Sequence, residues 1–224
     1  MPNTKDIPTA QTGARSFKRL RKKTGLTRGE KAQQTCRNLM DAAAKIVGEL
    51  GYAATSIARV TEAAGVAHGT FYNYFRDRQG LFDVLLPYVG QQMTDRITAD
   101  LTHAGNGIDR EIARFRAYCD YLRANPGFYR ILYEAEVFAP VAHEAHIRRL
   151  TDGYCRALKR AMDAGDLRPM SDEEMAVIAA VLLGARAYVA MQHKDTGEIP
   201  ESAVQAYAGL VQHGLFRPPP SGHG

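Results

Sequence analysis

The sequence predicts an all-α protein built from two helical domains. Its 224 residues are 45% apolar and 24% charged, as in an ordinary globular chain. From Cys36 onward, apolar residues recur at the three- and four-residue spacing of amphipathic helices, and glycine or proline ends most runs. No stretch alternates apolar and polar residues as a half-buried strand would. The sequence therefore favours helices packed on helices over a fold that contains a sheet.

Composition divides the chain into four parts. Residues 1–26 are polar and interrupted by prolines and glycines, which predicts a disordered arm. Residues 27–98 are predicted to form a helical N-terminal domain with a linking helix, which we call the head. Residues 99–216 are predicted to form a second helical domain, which we call the body. Residues 217–224 are rich in proline and glycine and are expected to be a frayed, disordered tail.

The predicted helices of the head follow local start and stop signals. The first helix begins near Thr27 and ends at Gly51, and Ser56 can cap a short second helix. A third short helix is predicted over residues 67–75. A fourth runs from residue 78 to the mid-90s and is expected to be interrupted or reshaped near Pro87, because proline has no backbone N–H.

Further helices are predicted in the body from the same periodicity. Their apolar stripes cover residues 112–122, 128–140, 147–161, 171–193 and 200–211. Ser171 followed by Glu174 predicts a capping box at the start of the fourth of these helices. That helix is apolar nearly all round, so we expect it to be buried on both sides, against its own domain and against a second copy of the chain.

The most informative stretch is residues 55–81, where two short helices are joined by a turn containing Gly65. This is the layout of a helix-turn-helix. On the second helix, Phe71, Tyr74 and Phe75 share one side and are expected to pack inward. The opposite side is small, polar and neutral, and is formed by Gly69, Thr70, Tyr72 and Asn73 with His68 at its edge. Such a face suits base edges in the major groove. A helical hairpin with an aromatic core and no DNA role is the alternative.

The segment resembles the DNA-binding domain of the TetR family of bacterial repressors. The matching residues are Ile57, Ala63-Ala64-Gly65-Val66, Gly69-Thr70-Phe71-Tyr72, Tyr74-Phe75, Arg78 and Leu81. The resemblance implies a three-helix head, a linking fourth helix, and a C-terminal domain that dimerises and binds a small effector. It places His68, Gly69 and Tyr72 at base-contacting positions, and Ser56, Thr70, Asn73, Tyr74 and Arg78 at phosphate-contacting positions. Ala67 departs from the family pattern, which usually has a Ser or Thr helix cap there.

Positive charge is concentrated at the N-terminus. Residues 1–31 contain nine Lys or Arg and two acids, which gives +7, whereas the whole chain carries +5. A basic arm of this kind suits a polyanion, either nucleic acid or a membrane surface. The alternative is a solvated tail with no specific partner.

Other functional classes find little support in the sequence. The longest uncharged apolar run has eleven residues, from Met175 to Ala185, whereas a spanning helix needs about 20, so no membrane segment is expected. The phosphate-binding and hydrolase motifs GxxxxGK[ST] and GxSxG are absent, as is any Glu-x-x-His pair, so we expect no enzyme, cofactor or metal site.

The isolated cysteines and two histidines leave alternatives open. The three cysteines lie far apart, which favours small buried side chains in a reducing cytoplasm, with a redox sensor as the alternative. His143 and His146 favour a polar first helical turn over contact with a metal or effector.

Aromatic residues of the body are candidates for an effector pocket, or else simply for its core. The candidate ligand-binding residues are Phe115, Tyr118, Cys119, Leu122, Phe128, Tyr129, Tyr133, Tyr154 and Leu158. The candidate dimer interface consists of Val177, Val181, Leu182, Ala185, Tyr188, Val204, Tyr207 and Val211. Arg186 interrupts the apolar run and is expected to form an interface ion pair, to extend outward to solvent, or to hold an effector carboxylate.

These observations together predict a cytoplasmic, homodimeric, ligand-responsive transcriptional regulator. Its partners would be double-stranded DNA with a palindromic operator and a hydrophobic or amphipathic small molecule that releases it, as expected for a repressor. The alternative is a helical small-molecule-binding protein or enzyme that retains the helix-turn-helix without regulatory use.

Overall fold

A computed structural model describes residues 27–105, 107–193 and 198–214. Within those ranges the chain is helical and contains no strand, so the all-α prediction is confirmed. The basic arm (residues 1–26) and the tail (residues 217–224) lie outside the described residues.

The helices follow one another in the predicted order. The head comprises α1 (Arg28–Leu50), α2 (Ile57–Ala63), a 3₁₀ helix (His68–Asn73) and the linking helix α3 (Arg78–Asp100). The body comprises α4 (Gly107–Ala124), α5 (Phe128–Phe138), α6 (Pro140–Asp163), α7 (Asp172–Gln192) and α8 (Glu201–His213).

Side-chain caps define where the head helices begin. Thr27 and Glu30 form a reciprocal capping box at the start of α1, and the Ser56 hydroxyl accepts from the Arg59 amide at the start of α2. Asp77 accepts from the Gly80 amide at 2.8 Å and starts α3. These bonds satisfy amides that a helix leaves unpaired in its first turn, so the boundaries follow from local chemistry.

Two local predictions were only partly correct. α3 is assigned as one continuous helix from Arg78 to Asp100 despite Pro87, because buried Leu85, Leu86 and Val89 hold it in place on both sides of the proline. At α7, the Ser171 hydroxyl accepts from the Glu174 amide, but the Glu174 carboxylate pairs with Arg168 instead of returning to the cap. Only half of the predicted capping box is therefore formed.

Head and body share one hydrophobic core. Buried Leu39, Val47 and Phe82 of the head belong to the same cluster as Tyr121 and Phe128 of the body. Two smaller clusters join α6 to α7 and α4 to α8. Because the core is continuous, a change of packing in the body is transmitted to the head.

The helix α7 is more apolar than the uncharged run suggested. Its most apolar 18-residue window has a mean hydropathy of 1.6, so by length and composition alone this helix could cross a membrane. The uncharged run ends at Arg186, so its length alone did not reveal how apolar the whole helix is. Only 22% of the window is buried within one chain, and a single helix of this kind is weak evidence for a membrane span. An apolar face of α7 is therefore left without a cover in the monomer.

Candidate DNA-binding surface and effector cavity

The 3₁₀ helix is anchored to the head by its aromatic side. Phe71 is fully buried, and its ring centroid lies 5.2 Å from that of Phe75. The Thr70 amide donates to the Ala67 carbonyl at 2.8 Å, which closes the first turn without a side-chain cap. The inward side assigned to Phe71 and Phe75 is thus the side the structure buries, although the helix is 3₁₀ rather than α.

Most candidate base-contacting residues lie on the opposite, exposed side. Tyr72 is 54% exposed, and its ring meets that of His68 edge-on at 5.9 Å. Gly69 is exposed, and a Cβ built there would meet nothing within 4 Å in this chain. Nothing within the protein therefore requires glycine at this position, whereas the close approach of an external surface would. Asn73 is exposed, and Thr70 and Tyr74 are half-buried beside it.

Two further candidate phosphate contacts flank this face. The exposed Ser56 hydroxyl uses its oxygen to cap α2, which leaves its O–H free to donate. Arg78 donates to the Thr55 carbonyl at 3.4 Å, and its guanidinium lies 5.4 Å from the centre of the Phe82 ring. The head thus holds a cation and a hydroxyl at the edge of the 3₁₀ helix.

One cleft of the body measures about 570 Å³ and reaches the head. Four candidate ligand-binding residues line it, namely Cys119, Leu122, Tyr129 and Tyr133. Gly48 of α1 and Ala190 of α7 also line it, so one cavity touches α1, α4, α5 and α7. Its walls combine apolar residues and the two tyrosines with the charged Arg123, Arg130 and Glu134. A cleft of this size and mixed lining suits a small amphipathic molecule.

The other candidate ligand-binding residues are distributed differently. Phe115 lines a smaller hollow of about 240 Å³, and Phe128 lines one of about 470 Å³ beside α1. Tyr118, Tyr154 and Leu158 line none of these three cavities and are buried between helices. The structure therefore brings together only part of the predicted set.

A polar cluster that the sequence analysis missed lies inside the body. Glu111 is buried and accepts from the hydroxyls of Tyr154 and Tyr207, the latter at 2.6 Å, and it pairs with Arg114. Burial, together with the Glu111 charge, raises the pKa of both tyrosines. The available signal was the position of Glu111, which lies four residues before Phe115 and hence on the inward side of α4.

Arg186 is buried rather than directed to solvent. It is 4% exposed, so the expectation that it extends outward is wrong. This burial within one chain also argues against the interface ion pair, because a second copy would not reach the guanidinium. Its guanidinium carbon lies 5.0 Å from the ring centres of both Tyr118 and Tyr154. Contact with an effector carboxylate is the remaining prediction.

The candidate dimer residues fall into two groups. Val177, Val181 and Tyr188 form an exposed apolar face on α7, each about 60% exposed. Leu182, Ala185 and Val211 are half-buried in the cluster around Phe115. Val204 and Tyr207 are buried in that same cluster because α8 packs on α4, so the chain itself covers these two side chains.

His146, on α6, lies in the core against α3 and α5. It is 1% exposed, it packs against Gly90 and Phe128, and neither ring nitrogen has a hydrogen-bond partner in the described part of the chain. Desolvation, followed by the nearby charges of Arg149 and His143, lowers its pKa to about 4. The interpretation of His146 as a polar surface turn was therefore wrong. Among the described residues no cluster of His, Cys, Asp and Glu could hold a metal ion.

The thiols of Cys36 and Cys119 are not activated. Burial raises the pKa of Cys119 to about 12 and also raises that of Cys36. A redox sensor needs a thiolate at neutral pH, so the structure favours Cys119 as a small packing residue beside the cleft.

Several polar contacts tie the head to α5. Glu134 accepts from the Tyr52 amide at 2.8 Å, and the Tyr52 ring stacks on Phe138 with centroids 5.7 Å apart. Arg130 donates to the Glu49 carbonyl, and Gln79 donates to the Phe138 carbonyl at 2.9 Å. The same helix supplies Tyr129 and Tyr133 to the cleft, so α5 lies between the cavity and the head.

Comparison with known sequences places the head in a family. The sequence model described as "Bacterial regulatory proteins, tetR family" matches residues 39–85. The nucleoid occlusion factor SlmA of Haemophilus influenzae is 26% identical over 105 residues, which are 46% of this chain and 48% of that protein. The transcriptional regulator BetI of Yersinia pestis is 30% identical over 82 residues, 37% of this chain and 40% of that protein. The chain thus matches less than half of the length of each of these relatives.

Solved structures resemble a larger part of the chain. FadR from Bacillus subtilis, in complex with stearoyl-CoA, is 14% identical with a TM-score of 0.67 and covers 81% of this chain and 100% of its own. FadR from Bacillus halodurans is 20% identical, with a TM-score of 0.66 over 85% and 98%. AibR, in complex with isovaleryl coenzyme A and operator DNA, is 17% identical, with a TM-score of 0.57 over 79% and 97%. At these identities the likeness shows a shared fold that includes the body.

Proposed function

Because this chain belongs to the TetR family of bacterial regulatory proteins, we propose that it is a cytoplasmic, homodimeric repressor that an effector releases from its operator. The proposed operator is a palindromic duplex, and the proposed effector is a hydrophobic or amphipathic small molecule.

The observation that carries the proposal is the two-sided 3₁₀ helix. Phe71 fixes it to the core, and the exposed side presents Tyr72, Asn73 and His68 around an unobstructed Gly69. A helix held rigidly on one side and exposing hydrogen-bonding groups on the other can enter a major groove. The flanking Ser56 and Arg78 would contact phosphates and fix the register.

The exposed face of α7 supports a dimer and hence a palindrome. Val177, Val181 and Tyr188 would be covered by the same face of a second copy, which removes apolar surface from water. A two-fold dimer presents two heads, and the DNA sequence that fits two identical heads is an inverted repeat.

The cleft supports release by a small molecule. It is bounded by α5, whose outer contacts hold the head, and by Gly48, which belongs to the head itself. A molecule that fits the cleft better when α1 and α5 are apart stabilises a different spacing of the two heads. DNA affinity then falls by the difference in effector affinity between the two arrangements. Two neighbours with the same fold bind acyl-CoA thioesters, which supports an acyl compound as effector.

Selection from a random duplex library tests the DNA part of the proposal. Wild-type protein should enrich an inverted repeat, and Tyr72→Ala should bind the enriched duplex about 1–3 kcal/mol more weakly at fixed salt. Val137→Ala, which truncates an exposed side chain of α5 outside the helix-turn-helix, is the control and should bind as the wild type does.

Two results would contradict the proposal. Failure to enrich any sequence would favour the alternative, a helical binding protein that retains a head without regulatory use. Enrichment without repression of a reporter that carries the selected sequence would remove the repressor assignment and leave a DNA-binding regulator.

A further inference from the structure

Arg186 is a buried cation whose donors lack an acceptor. Its Nε and Nη1 atoms are inaccessible to solvent and have no hydrogen-bond partner among the described residues. The rings of Tyr118 and Tyr154 flank the guanidinium at 5.0 Å and attract its charge, but they do not replace an oxygen acceptor. A guanidinium stays charged in proteins, so the cost of burying it is not relieved by loss of a proton.

The one buried acid among the described residues, Glu111, is already occupied by other donors. Glu111 accepts from the hydroxyls of Tyr154 and Tyr207 and forms an ion pair with Arg114. Because Arg114 neutralises Glu111, the charge of Arg186 has no counter-charge among the buried residues of the body. The two arginines thus differ sharply, since one is paired and the other is not.

Arg186 does not itself line the cleft, but two residues close to it do. Ala190, one helical turn further along α7, lines the cleft, and so does Cys119, the residue after Tyr118. Tyr129, which also lines the cleft, donates its hydroxyl to the carbonyl of Ala187, the residue after Arg186, at 2.9 Å. The carboxylate site therefore requires the Tyr129 side chain to move when a ligand enters from the cleft.

We propose that Arg186 binds the carboxylate of the effector, which is a hydrophobic carboxylic acid whose apolar part lies in the cleft. The proposal rests on the proposed effector cavity and adds the chemical class of the ligand. A carboxylate supplies both the missing negative charge and the missing acceptors. An acyl-CoA thioester presents only a neutral carbonyl at this end, so the two classes make opposite predictions for Arg186.

The first experiment measures stability without ligand and compares the two arginines. Arg114→Met leaves Glu111 buried without its ion-pair partner and should lower the thermal midpoint by about 5 °C or more. Arg186→Met removes an unpaired charge at similar side-chain volume and should leave the midpoint unchanged or higher. An equal fall in both variants would show that Arg186 has a structural partner, and would overturn the proposal.

The second experiment measures binding of matched probes by calorimetry. Wild-type protein should bind octanoate or 4-phenylbutyrate about 10- to 100-fold more tightly than the amides of the same carbon skeletons, as expected for a charge-assisted hydrogen bond. Arg186→Met should lose this preference, and Arg186→Lys, which keeps the charge, should retain part of it. No preference in the wild type, or the same preference in Arg186→Met, would overturn the proposal.

Binding of octanoyl-CoA tests whether the effector is a CoA thioester instead of a free carboxylic acid. If it binds wild type and Arg186→Met equally while octanoate does not bind, the effector is a thioester and the carboxylate site is refuted. The DNA selection is independent of these outcomes. If the wild type enriches no duplex but binds octanoate through Arg186, the proposed regulatory function fails and the carboxylate site stands.

Discussion

Two glycines allow the backbones of the head and the body to pack closely. A Cβ at Gly127, in the turn before α5, would lie 2.7 Å from the Cα atom of Gly48, and a Cβ at Gly48 would lie 2.9 Å from the Cα atom of Gly127. Both neighbours are backbone atoms, which cannot rotate away as a side chain can. Gly127 has a φ of −72°, which any residue adopts, so only crowding opposes alanine there.

The cost of Gly127→Ala follows from that distance. Ordinary van der Waals contact begins at 3.4 Å, so α1 and the turn must separate by about 0.7 Å. Overpacking of this kind costs about 1–3 kcal/mol of unfolding free energy. Because α1 belongs to the head, the same displacement would change the spacing of the two heads in the proposed dimer, and we expect operator affinity to fall as well.

Urea unfolding and titration of the selected duplex measure the two effects. Gly153→Ala is the matched control, because its Cβ would meet only Arg156 Nη2 at 3.7 Å within α6. It should gain up to about 1 kcal/mol from helix propensity and bind DNA as the wild type does. The double variant Gly48→Ala/Gly127→Ala should lose less unfolding free energy than the two single variants added together, since both substitutions open the same contact. A Gly127→Ala protein as stable as the wild type would refute the close packing of α1 on this turn.

The remaining predictions concern the DNA surface, the dimer, the buried histidine and the arm. Tyr72→Phe should retain more operator affinity than Tyr72→Ala if the ring packs in the groove, and equal losses in gel-shift titrations would assign the effect to the hydroxyl. Val177→Glu with Val181→Glu should convert a dimer to a monomer in light scattering, because unpaired charges are costly to bury, and a monomeric wild type would show that this face has another use. The pKa of His146 falls from 6.5 to about 4 on folding, so between these pH values unfolded chains bind a proton that folded chains do not. The contribution of the neutral ring to the free energy of unfolding is therefore full above pH 6.5 and falls by about 3 kcal/mol as the pH drops to 4. His146→Leu should lack this part of the pH dependence in urea unfolding, and equal pH slopes would contradict the burial of a neutral ring. Deletion of residues 1–23 should weaken operator and random DNA alike and reduce the salt slope by about 0.9 for each phosphate that the arm neutralises, whereas equal slopes would identify a solvated tail.

Local signals allowed much of the head to be predicted. Thr27, Ser56 and Gly51 act on amides and carbonyls within one turn of their own position, so their effect can be read without knowledge of the fold. The exposed side of the third helix was also predictable, because Phe71 and Phe75 fix which side is buried. The course of α3 through Pro87 was not, since it depends on what packs around the proline.

The body was less predictable because an apolar stripe shows burial without showing what covers it. Tyr129 and Tyr133 lie four residues apart on α5 and both face the cleft, whereas Tyr118 faces the core from α4. The stripe of α8 that includes Tyr207 indicated a buried side, but only the packing of α8 on α4 shows that the same chain buries it. Neighbouring helices are set by loop paths and by complementary shapes that the sequence pattern does not encode.

Charges on inward faces are the signal that the sequence analysis left unused. Glu111 lies four residues before Phe115, and Arg186 lies four residues before Ala190, so the pattern alone could have suggested that the two opposite charges pair with each other. The structure contradicts that simple pairing, because Arg114, three residues from Glu111 on the same helix, takes its place. A short-range partner on one helix needs no particular fold to reach its acid, whereas Arg186 must be brought there by the packing of α7. The unpaired cation is thus a consequence of local competition within α4, and its persistence beside a cleft is what makes a carboxylate the expected ligand.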